Sequence, residues 1–337
     1  MSNFTVNVVS DDGDGRIPVK LASQVMIGTQ ELLADVGEYL VARELRIQDY
    51  IHSDLLDRFV LYMDGAGGIS LNSSVTDPQT RGHGNIVDDA VELMDATLTA
   101  MSSGVGGYWL EEKYIDPFYR NNVIVDILAL ANLVESNPGY SVMFGTGDDL
   151  KRFGNVDTER LASYMKEKGF SAEGATLGVL VNVPSRSKGD MLYLQCGRDR
   201  ARLSFVDRAA MNAARELVGK PVIIGGHLMY SKDGSILEIR NAAGTALADS
   251  IKFRRLVSCD GDVILKTPVK ADIIYDAGTW TLRNEDLGIS CSKDDWDGAV
   301  QSFHDYFIFL WTQYADKDLS GMSDEEREVG EYLNALL

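Results

Sequence analysis

Cysteine is scarce in this chain, and the three present, Cys196, Cys259 and Cys291, are odd in number, widely spaced and without a CxxC pair. A disulfide framework and a zinc knuckle are thereby excluded, and a reducing cytoplasm is the expected compartment. The four histidines show neither an HExxH pattern nor any regular ligand spacing, so no metal is expected. A GxSxG elbow is absent, and the glycine stretches Gly65–Gly68 and Gly104–Gly107 match neither a phosphate-binding GxxxxGKS/T loop nor GxGxxG ahead of a helix. No cofactor is implied. Long apolar runs are also missing: Val123–Val134 is interrupted by Asp126 and Asn132 and falls short of the ~20 residues that span a bilayer. Met1–Ser10 lacks the basic and apolar regions of a secretory signal.

Cations are the other shortage. Lys and Arg number 32 against 51 Asp and Glu, a net charge of −19. A whole surface that grips nucleic acid or anionic lipid is disfavoured. The deficit is uneven, however: residues 1–150 carry −15, residues 151–260 carry +6 and residues 261–337 carry −10. A basic segment lies between two acidic ones.

What is present is an ordinary globular balance, 45% hydrophobic and 25% charged over 337 residues, long enough for two or three domains. Residues 1–150 read as an acidic, helix-rich α/β domain. A strand over 4–9 meets the acidic turn Asp11–Gly15, and Leu21, Val25, Leu32, Val36 and Leu40 recur at helical spacing. A hairpin over 58–75, helices over 86–101 and 117–134, and a strand over 140–144 complete the segment. Residues 151–260 read as a short helix over 158–168 and strands over 175–183, 191–196, 201–206, 222–230, 236–241 and 250–257, with a helix over 208–218 before the fourth. That pattern predicts a small, OB-like closed barrel. Residues 261–337 read as an acidic tail: a hairpin about Asp276–Gly278, a strand through Ile289, an aromatic helix from Asp294 and a terminal helix capped by Ser323. The fold class is α+β.

Two surfaces stand out. Arg198, Arg200 and Arg202 alternate along one strand and share a face at period two, as do Lys252 and Arg254 on a later one, giving an anion-binding candidate. The aromatics Tyr193, Phe205 and Phe253 fall on the opposite parity or on other strands, so pairing of the basic segment with its acidic flanks competes with ligand binding. The second surface is the heptad-like seam Trp296, Val300, Phe303, Phe307, Leu310 and Tyr314, with Trp311 beside it. So apolar a helix must be covered on at least two sides, which makes Trp296, Phe303, Phe307, Leu310 and Trp311 interface candidates.

The remaining signals are weaker chemistry. Asp12, Gly13, Asp14, Gly15 and Ile17 sit at calcium-loop offsets, but Ser10 and Leu21 occupy the two strongest donor positions, which favours an ordinary acidic turn. Arg81 and His83 stand in a glycine-rich loop before the helix at Ile86, where Asp88 and Asp89 repel an anion and a capping loop is favoured. The stripe Asp88, Glu92 and Asp95 suits a solvated face, His227 a satisfied barrel position and His304 the polar side of the aromatic helix.

Asp272–Trp280, Leu287–Ser290 and Asp294–Val300 together resemble the strand, strand, helix unit of HicB-like antitoxins, with Asp294, Asp295 and Ala299 at the helix opening. The resemblance covers about 271–314 and carries over no catalytic residue; Ser292 and Lys293 replace the family's glycine-threonine signature. It implies a partner-binding segment of a toxin–antitoxin or phage-defence system. Two functions follow. The first is a non-catalytic interaction protein that binds a protein partner or itself as an oligomer. The alternative is a hydrolase or nuclease acting on a phosphorylated or nucleic-acid substrate held by residues 151–260.

Overall fold

A computed structural model describes residues 4–13, 15–48, 51, 53–61, 85–146, 149–184, 191–315 and 322–336. They form two compact units, one holding the chain up to Leu40, the segment 53–61 and Asn85–Gly169, the other Val41–Ile51 and the chain from Phe170 onward. The first unit contains β1 (Phe4–Ser10), α1 (Val19–Leu45, to Leu40), α2 (Ser53–Leu56), α3 (Ile86–Ser102), α4 (Gly107–Lys113), α5 (Pro117–Glu135), β2 (Tyr140–Thr146), β3 (Lys151–Phe153) and α6 (Thr158–Lys168). Its sheet runs β1-β2-β3, all antiparallel.

Polar caps start these helices. Asn85 accepts from the Val87 N–H, Asp116 from Phe118 with Pro117 at the first helical position, and Asp157 from Arg160. Leu32, Val36, Val91, Met94 and Ile127 fill the core, as their helical spacing requires. Asp11 accepts from the Ser141 hydroxyl and lies 3.6 Å from Arg152, so the acidic turn is tied to the sheet. Residues 58–61 are not strand, and the rest of the expected hairpin lies outside the described residues.

The second unit contains β4 (Ser171–Val183), β5 (Met191–Cys196), β6 (Asp199–Phe205), α7 (Arg208–Arg215), β7 (Pro221–Tyr230), β8 (Ile236–Leu247), β9 (Ser250–Ser258), β10 (Gly261–Asp276), β11 (Thr279–Asn284), β12 (Ile289–Lys293), α8 (Trp296–Leu310) and α9 (Asp324–Leu336). Strands β4-β5-β6-β8-β7 close into a barrel, with β6 and β8 parallel and every other pair antiparallel. This fits the OB-like expectation, including the helix between the third and fourth strands. Leu180, Leu194, Leu203, Ile224 and Ile239 alternate inward and fill it.

Two expected boundaries move. β3 and α6 cluster with the first unit, so the division falls near 169 rather than 150. The break at 260 disappears, because β9 pairs with β10 across it in a separate sheet ordered β12-β11-β10-β9. α8 packs on that sheet. Trp296 sets its indole edge against Trp280 at 5.2 Å and Phe303 meets Phe253 at 5.5 Å.

Gln48 clasps this unit together. Its side-chain amide donates to the Leu177 carbonyl at 2.6 Å and its Oε1 accepts from the Gly197 N–H at 3.0 Å. Its own N–H donates to Asp297 at 2.8 Å, while the Trp296 indole donates to the Arg46 carbonyl at 2.9 Å. Residues 46–48 thereby bridge the barrel and the start of α8. Among the described residues no helix is long and apolar enough to cross a membrane.

Candidate ligand face of the barrel

The outer face of β5–β6 brings together residues that linear parity keeps apart. In register, Tyr193 lies opposite Arg202 and Gln195 opposite Arg200. Directly opposed residues share a face, and the inward set Leu192, Leu194, Ala201 and Leu203 is buried, so these four point outward. Arg200 and Arg202 are exposed; Arg200 donates through Nε to Gln195 Oε1 at 2.8 Å, which orients the rest of its guanidinium. Arg202 makes no hydrogen bond to a described residue and faces Glu238 on the neighbouring β8.

Glu238 carries the local negative charge. It accepts from Arg240 Nε at 2.8 Å and from the Ser204 hydroxyl at 3.2 Å. The Arg240 hydrogen bond, above all, holds its carboxyl below the ordinary glutamate range, and Arg202 adds to the effect. Two guanidiniums therefore flank this carboxylate, and Arg200 stands two residues along β6 from Arg202, a face with cationic surplus and one aromatic ring.

The other expected site residues separate. Arg198 sits in the β5–β6 turn rather than on the strand. Lys252 and Arg254 are exposed, but β9 belongs to the second sheet, so they do not extend the barrel face. Phe205 turns inward against the barrel core. The seam residues Trp296, Phe303, Phe307, Leu310 and Trp311 are at most 7% exposed, covered from within the chain, while Tyr306 and Phe309 occupy the outer side of α8. Arg81 and His83 lie outside the described residues.

His304 departs from expectation, whereas His227 is satisfied on a barrel strand. His304 is fully buried: Nδ1 accepts from the Val257 N–H at 3.0 Å, the ring packs edge-on against Phe253, and Nε2 has no partner among the described residues. Burial lowers its pKa to about 3. His227 is on the outside of the barrel, bonded through Nδ1 to Glu173 Oε1 at 2.9 Å.

One titratable pair stands in the first unit. Asp35 on α1 and Asp126 on α5 share a hydrogen bond, and burial, followed by the charge of Asp35, pushes Asp126 up to about 8. Among the described residues no group of three His, Cys, Asp or Glu is placed to hold a metal ion. None of the three cysteines forms a disulfide.

Comparison with protein-family models, curated proteins and solved structures returns no match, so the face is read from its own chemistry. Glu238 and Arg240 are the residues a linear reading misses, and the same reading sets Tyr193 aside because it lies on another strand. Their signal is strand register, which no local pattern contains.

Proposed function

We propose that this protein binds single-stranded nucleic acid on the outer face of β5–β6. The observation that carries the reading is Tyr193 directly opposite Arg202, with Arg200 two residues along the same strand. Bases stack on aromatic rings irrespective of sequence, and cations beside the ring take the phosphates. Two residues of strand advance ~6.8 Å, so Arg200 and Arg202 are spaced to meet successive phosphates of an extended strand. Small barrels of this kind use this face for such ligands, a fold-level analogy that adds weight without carrying the argument. The seam Trp296, Phe303, Phe307, Leu310 and Trp311, one of the features behind the partner-binding reading, is covered by the chain's own sheet.

The test is a titration of the full chain against a fluorescein-labelled single-stranded oligonucleotide at several salt concentrations. Binding weakens as salt rises, and Arg200→Ala with Arg202→Ala reduces the salt slope by about 1.4, roughly 0.7 per phosphate contact on a single strand. Tyr193→Ala weakens binding about 5- to 150-fold, the equivalent of ~1–3 kcal/mol of stacking. Absent binding, or binding that none of these substitutions alters, overturns the reading.

A further inference from the structure

Across the neighbouring strands of the same barrel a second constellation is built around a break in the ladder. Glu173 on β4, His227 on β7 and Arg240 on β8 form one row, each the register partner of the next. Between the His227–Arg240 and Gly225–Gly244 pairs, β7 has one residue, Gly226, and β8 has three, Asn241, Ala242 and Ala243. Asn241 takes the left-handed conformation at φ +52°. A Cβ on Gly226 would lie 2.6 Å from the Arg240 carbonyl oxygen, so this bulge needs glycine opposite it. Bulges re-aim side chains and are over-represented beside active sites, and a left-handed non-glycine residue persists only where its surroundings hold it.

The row has the logic of an oriented base. The Glu173 carboxylate accepts, so His227 Nδ1 carries the proton and Nε2 presents its lone pair, bonded to no described residue. Arg240 spends only Nε on Glu238, which leaves both Nη groups for an anion. Arg240 also joins this row to the β5–β6 face through Glu238 and Arg202.

We propose that His227, Arg240 and Glu173 form a catalytic site that cleaves single-stranded RNA; this rests on the nucleic-acid reading of the barrel. His227 Nε2 removes the proton of a ribose 2′-hydroxyl, and the 2′-oxygen bonds to the adjacent phosphorus. The P–O5′ bond breaks, its electron pair goes to O5′, and O5′ takes a proton from water. Imidazolium then returns its proton to the hydroxide so formed. The products are a 2′,3′-cyclic phosphate and a 5′-hydroxyl. Arg240 meets the charge that grows on the phosphate oxygens, and Glu173 is a positioning residue that fixes the tautomer.

The experiment presents end-labelled single-stranded RNA and the matching 2′-deoxy strand to the full chain in the presence of EDTA, which silences contaminating metal-dependent nucleases. RNA is cut to cyclic-phosphate ends, while DNA of the same sequence is bound and stays intact. His227→Gln slows cutting about 10²-fold or more, Arg240→Gln slows it, and Glu173→Gln lowers kcat while KM stays unchanged. RNA that is bound but uncut, or cut equally fast by His227→Gln, overturns this inference and leaves the binding reading standing. Failure to bind either strand overturns both.

Discussion

His304 shows how one residue ties pH to stability. Its ring is wholly buried, with one nitrogen accepting the Val257 N–H and the other without a partner among the described residues, so protonation inside the fold is opposed by burial. The unfolded chain binds that proton near pH 6.5 and the folded chain only near 3. More protons bound in the unfolded state means that this contribution is present in full above pH 6.5 and is lost as pH falls toward 3. Denaturant titrations of the wild type and His304→Phe separate the effect. The variant shows a shallower loss between pH 6.5 and 3, and at pH 7 it is less stable by about 1–3 kcal/mol because the Val257 N–H loses its acceptor. The sequence placed this histidine on the polar side of its helix, since helical spacing relative to the aromatic seam says nothing of a strand backbone reaching it from 47 residues away.

At the level of elements, chain pattern located most strands and helices, and pairing then reassigned one of them. The alternation in β5, β6 and β7 identifies their buried faces, and the Asx residues before α3, α5 and α6 identify where those helices begin. β9 reads as another barrel strand because its alternation is equally good, yet its hydrogen bonds go to β10. Period two specifies a face and leaves the neighbour open. The β8 bulge has the same character: Gly226 looks like an ordinary weak point in a strand until Arg240 is seen against it. Gly226→Ala should cost about 1–3 kcal/mol through forced displacement of the β8 backbone, and nucleic-acid affinity should fall with it as Arg240 and Glu238 shift. Thermal unfolding and the oligonucleotide titration read the two effects separately; an unchanged melting temperature would show that the close pass is not restrictive.

For the whole molecule, the net charge of −19 conceals a division of labour. The acidic segment supplies a first unit in which Asp35 and Asp126 share a half-buried position, whereas the cationic surplus is displayed on the barrel of the second. The two units consequently answer pH in opposite directions. Asp126, raised to about 8, binds its proton more tightly folded than unfolded, so the first unit loses this stabilisation as pH rises from about 4 through 8. The second unit loses the His304 contribution as pH falls. Hydrogen exchange followed by mass spectrometry across pH should show protection in α1 and α5 declining toward alkaline pH. Asp126→Asn should remove that decline and stabilise the first unit at pH 8 by about 1–2 kcal/mol, allowing for solvent screening of a half-exposed carboxyl. Equal alkaline loss in the variant would show that the pair is not its source.

The sequence by itself determined the α+β class, the inward faces of β5, β6 and β7, most helix starts and the basic character of the segment that carries Arg200 and Arg202. Those features rest on contacts a few residues apart, where periodicity and capping chemistry are written directly. Only the tertiary structure decided that Tyr193 stands opposite Arg202, that Lys252 and Arg254 belong to another sheet, that Gln48 clasps the barrel to α8, and that the aromatic seam is covered from within. Each of these depends on which strand or helix a distant segment meets and in what register. Alternation repeats every two residues and is satisfied by many partners, so closure of the core chooses among them.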